Sequence, residues 1–93
     1  MNVIDSHCHL QSLPLDEMGL SLSDVLIRAK QAGVKRMLSV SIELTCFDAL
    51  KCIAEKHSEV DISVGIHPSD CQDMTEEQWS TLWKNAQHSR VVA

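Results

Sequence analysis

His7 and His9 stand one residue apart in the run Asp5-Ser6-His7-Cys8-His9, at the end of a short apolar stretch. Side chains alternate faces along a β-strand. A strand over residues 2–9 would therefore send both imidazoles to one side, about 7 Å apart along the backbone. Two neutral imidazoles converging from one face begin a divalent-cation site: imidazole suits zinc, and added carboxylates permit magnesium or manganese. The same parity turns Cys8 away from that site. The plainer alternative is a His-x-His on an exposed strand or loop that binds nothing.

The elements that would carry these residues follow from periodicity. Residues 12–19 read as a loop. Leu22, Val25, Leu26, Ala29 and Ala32 recur at helical spacing, which predicts a helix over 23–32 with Ser23 as N-cap and Gly33 at the stop. A second strand is predicted over 34–41. A second helix follows over 46–56, capped by Thr45, with Phe47, Leu50, Ile53 and Ala54 on one face. A third strand runs over 60–66. Thr75-Glu76-Glu77-Gln78 is a capping box opening a third helix, whose buried face would hold Trp79, Leu82, Trp83 and Ala86. Residues 90–93 open a fourth strand.

Strands alternating with helices of this length imply parallel βαβ units. Strand parity groups Ile4, Ser6, Cys8 and Leu10 on one face of the first strand, and Val3, Asp5, His7 and His9 on the other. The second strand divides Leu38 and Val40 from Met37, Ser39 and Ser41. In the third, Val60, Ile62, Val64 and Ile66 oppose Asp61, Ser63, Gly65 and His67. An open doubly wound sheet is apolar on both faces. Polar side chains gathered toward the strand C-termini of one face suit the mouth of a (β/α)8 barrel instead. The expected fold is α/β: the N-terminal (βα)3 portion of a metal-dependent TIM barrel, truncated near the start of strand four. Such barrels need about 250 residues, so residues 1–93 are expected to be one incomplete domain. Its open strand edges would favour self-association. The rival is a small complete α/β domain that covers its edges by dimerising.

Composition narrows the function. A formal net charge of −5 excludes a broadly basic nucleic-acid surface. It leaves room for an anionic substrate, because bound metal supplies local positive charge. The four cysteines show no zinc spacing, and no segment reads as a signal peptide or membrane span. Free thiols in a reducing cytoplasm are expected.

Asp5-Ser6-His7-Cys8-His9-Leu10, Ala32-Gly33-Val34 and Gly65-Ile66-His67-Pro68 together resemble the TatD-like metal-dependent hydrolases, deoxyribonucleases of the amidohydrolase-type barrel superfamily. The resemblance covers essentially the whole chain, to the ending Arg90-Val91-Val92-Ala93. It implies that His7 and His9 ligate a divalent cation, with two cations in a complete site. It implies Asp5 as a group orienting a ligating imidazole, and His67 as a contact to substrate phosphate. The family's bridging glutamate, in a Gly-Glu-x-Gly-Leu-Asp stretch, and its later His and Asp ligands are expected beyond residue 93. The implied reaction is hydrolysis of DNA phosphodiester bonds by metal-activated water, with little or no activity in these residues alone. Where the family commonly has Asp after His-Cys-His-Leu, this chain has Gln11, a neutral amide that still hydrogen-bonds. Two alternatives stay open: another Asp-x-His-x-His metallohydrolase acting on phosphoesters or amides, and a non-catalytic α/β module.

Overall fold

A computed structural model describes residues 2–93. Three strands, β1 (Val3–Cys8), β2 (Val34–Ser39) and β3 (Val60–Ile62), pair in parallel in the order β1-β2-β3. Between and after them lie α1 (Leu15–Met18), α2 (Leu22–Gln31), α3 (Phe47–Lys56) and α4 (Glu76–Ala86). The expected fourth strand begins beside β3: Val91 bridges Ile62 in parallel, and the Val92 amide donates to the Ile62 carbonyl at 3.0 Å. Sequential parallel pairing with helical crossovers is the geometry of a barrel wall. Leu26 of α2 and Phe47, Leu50 and Ala54 of α3 cover Met37, Val60 and Ile62, and this apolar layer is the core.

Several local details depart from expectation. Ser21, not Ser23, caps α2: its hydroxyl accepts from the Asp24 amide at 3.1 Å while the Asp24 carboxylate accepts from the Ser21 amide at 3.0 Å. That reciprocal pair outcompetes a lone serine two residues later. It also holds the Asp24 carboxyl below its ordinary range. Thr45 does not cap α3; the chain enters it through a 3-10 turn, Leu44–Cys46. The loop over 12–19 contains α1, closed by Gly19 at φ 67°, a left-handed conformation that favours glycine. β2 and β3 end earlier than predicted, at Ser39 and Ile62.

The capping box of α4 is present, with Thr75 Oγ1 accepting from the Gln78 amide. Its predicted buried face is not. Trp79 is 54% and Trp83 73% exposed, and only Leu82 is half-buried among the four. An amphipathic stripe needs a second layer to bury it, and α4 meets the fold mainly at the Leu44–Cys46 turn.

β1 breaks the simple alternation. Asp5 pairs with Met37 and Cys8 with Ser39, so β1 advances three residues where β2 advances two. This bulge flips side-chain phase within the strand. Asp5 follows Met37, a core residue, and Ile4 follows Arg36 on the uncovered face, where it is 68% exposed. Ile4 and Ser6 are therefore not on the helix-covered side, and Asp5 does not share a face with His7 and His9.

Candidate functional site

From the bulge and just beyond it, the two histidines emerge together. His7 and His9 line an open cleft of about 610 Å3 at the C-terminal ends of the strands, with Leu38, Val40, Ser63 and His67. Their rings lie 5.1 Å apart, edge to face at 85°. Cys8 points the opposite way into the core, its thiol donating to the Leu38 carbonyl at 3.4 Å. Burial, assisted by the charge of Asp5, pushes that thiol's pKa up.

The partners of the rings assign their tautomers. His9 Nδ1 lies 2.9 Å from the Val40 carbonyl oxygen, which can only accept. Nδ1 therefore carries the proton, and Nε2 keeps a bare lone pair. A carbonyl on the far nitrogen is the usual support of a metal-ligating imidazole. His67 is set the other way. Its Nδ1 accepts from the Ser69 amide at 3.2 Å and sits 2.8 Å from the Ser69 hydroxyl. Its Nε2 must carry the N–H of the neutral ring. One histidine at this mouth offers a lone pair and another a donor.

Asp5 touches neither ring: its carboxylate accepts from the His7 backbone amide at 3.1 Å. The orienting contact on His9 comes instead from a backbone carbonyl, which no side-chain motif could have indicated. Buried Ser41 and Ser63 hold the neighbouring strand ends: the Ser41 amide donates to Ser63 Oγ at 3.0 Å, and Ser41 Oγ donates to the Gly65 carbonyl at 3.3 Å. The His67 amide donates to the Ile42 carbonyl at 2.8 Å, which carries this histidine back over the cleft. Serines recurring at the ends of two predicted strands were the available signal for this scaffold.

The donor set suits a divalent cation in part. His9 and His7 supply imidazoles, and no group of three or more His, Cys, Asp or Glu converges on a metal position among the described residues. No helix among them is long and apolar enough to cross a membrane.

Comparison with known proteins agrees with the fold. The chain is 36% identical over 72 residues to the uncharacterized metal-dependent hydrolase BU355 of Buchnera aphidicola, covering 77% of this chain and 27% of that protein. It is 29% identical over 91 residues to the uncharacterized metal-dependent hydrolase YabD of Bacillus subtilis, covering 98% of this chain and 34% of that one. The crystal structure of YJJV, a TatD homologue from Escherichia coli K12, superimposes with a TM-score of 0.79 at 26% identity, covering 97% of this chain and 34% of that chain. The chain thus spans about a third of the length of these relatives. Residues 4–93 match the TatD-related DNase family, and with the parallel barrel wall and its paired histidines this chain belongs to that family.

Proposed function

We propose that this chain supplies the first part of the active site of a metal-dependent hydrolase that cleaves phosphodiester bonds in DNA. The observation that carries the reading is the opposed tautomers of His9 and His67 on one cleft. His9, through Nε2, and His7 would hold a divalent cation. When bound, that cation supplies Lewis acidity toward the phosphodiester and its attacking water. His67, through its Nε2–H, donates to a phosphoryl oxygen and stabilises the charge that grows there. A bare lone pair would repel that oxygen, so the Ser69 contact sets His67 for an anion rather than for a metal. The family's further ligands are absent from these residues, so the chain alone is expected to bind metal weakly and hydrolyse little.

The test is a chimera in which this chain replaces the matching first third of the Escherichia coli TatD homologue. Metal content, folding by circular dichroism and hydrolysis of DNA, phosphomonoesters and cyclic amides are then measured. Metal-dependent DNA cleavage, lost on combining His7→Ala with His9→Ala, is the expected result. A folded, metal-loaded chimera that prefers the phosphomonoester or the amide would overturn the DNA assignment.

A further inference from the structure

Gln11 reaches the same carbonyl that orients His9. Its Nε2 donates to the Val40 oxygen at 3.1 Å, beside the His9 Nδ1 contact at 2.9 Å. Its Oε1 accepts from the Ser39 hydroxyl at 2.9 Å, and the Ser39 oxygen in turn accepts from the Leu10 amide at 3.1 Å. Ser39 is fully buried. The direction of this chain of bonds is determined at every link. The Val40 carbonyl can only accept, which puts the Gln11 amide nitrogen on Val40 and its oxygen on Ser39. The Ser39 hydroxyl, which accepts from the Leu10 N–H, then turns its proton toward Gln11 Oε1. Both lone pairs of the Val40 oxygen are then occupied, one by Gln11 and one by His9.

We infer that Gln11 is a positioning residue for His9: it clamps the Val40 carbonyl in place so that the imidazole is held with its Nε2 lone pair facing the cleft. The inference rests on the proposed ligand role of His9. A carboxylate at position 11 would accept from Ser39 equally well but would set oxygen against oxygen at Val40. The neutral amide is thus the one planar group of this size that serves both partners, which gives a purpose to glutamine where the family commonly has aspartate.

Ring nitrogen NMR of the metal-free chain at about pH 8, where imidazole is neutral, reads the tautomer directly. The wild type is expected to show His9 protonated at Nδ1 and bare at Nε2, with slowed exchange of the Gln11 side-chain amide. Gln11→Met, which keeps length without hydrogen bonds, and Gln11→Glu, which keeps only the acceptor, are both expected to give a mixture of tautomers. Both are also expected to weaken zinc binding by about 10- to 100-fold, the usual cost of losing an outer partner of a ligand. A purely structural role would lower the melting temperature and leave tautomer and zinc affinity of the folded protein unchanged, and that result overturns the inference. If neither variant folds, an Nε2–H tautomer or a freely exchanging Gln11 amide in the wild type does so instead. A tautomer change with unchanged zinc affinity leaves the positioning role standing and removes His9 from the ligand set.

Discussion

The two ends of the sheet use polar side chains in opposite ways. At the strand C-termini, His9 and His67 each commit one ring nitrogen to the protein and present the other to the cleft. Toward the strand N-termini Arg36, Asp61 and Arg90 are engaged within the fold. Arg36 pairs with Asp61 through contacts of 2.8 and 2.9 Å to both carboxylate oxygens. Arg90 donates to the carbonyls of Ala54 and Val60, joining the last turn of α3 to β3. Barrels divide labour in this manner, with chemistry at the C-terminal face and stability at the other. A polar group with unspent hydrogen-bonding capacity is the local signature of the first role, and full mutual satisfaction is that of the second.

That division breaks most visibly if substitutions at one end disturb the property of the other. His9→Ala should weaken zinc binding by more than about 100-fold, beyond the cost of losing an outer partner, while stability falls by only about 0.5–1.5 kcal/mol, the worth of the single bond to Val40. Competition with a chelating dye and a thermal melt measure the two together. Arg90→Met should show the reverse. It strands carbonyls at the end of α3 and lowers stability by about 1.5–3 kcal/mol, the range for hydrogen bonds to a charged group, while zinc affinity holds in the folded protein. Urea titration gives the first value.

Ser21→Ala sharpens the contrast from neutral ground, because the α2 cap serves only its own helix. The expected loss is about 1 kcal/mol, with no effect on metal. The carboxyl of Asp24 lies below its unfolded value in the folded chain. Its contribution is therefore complete above about pH 4, the unfolded carboxylate range, and fades as pH falls through the depressed folded value. Melts taken down an acid series should show that decline in the wild type and a smaller one in Asp24→Asn.

Much of the site was legible because its signals are local. Strand parity sent His7 and His9 to one side, and the run ending in His67-Pro68 placed a third imidazole at the end of the third strand. Periodicity likewise located α3, whose Phe47, Leu50 and Ala54 are buried. What escaped were features set by partners distant in sequence. The bulge of β1 exists only against β2, and it carried Asp5 away from the histidines. Val40 acts through a backbone oxygen, to which side-chain identity is blind. Trp79 and Trp83 have the spacing of a core stripe, but spacing reports what a helix can bury and not whether a layer is present to cover it.

The bulge between Asp5 and Cys8 also determines how freely the chain's beginning can be edited. It uncouples the pleat of residues 3–5 from the pairing of Cys8 with Ser39 that aims the imidazoles. A changed residue that shifts Val3–Asp5 is taken up inside the bulge, while His9 stays anchored from its C-terminal side by the Val40 carbonyl.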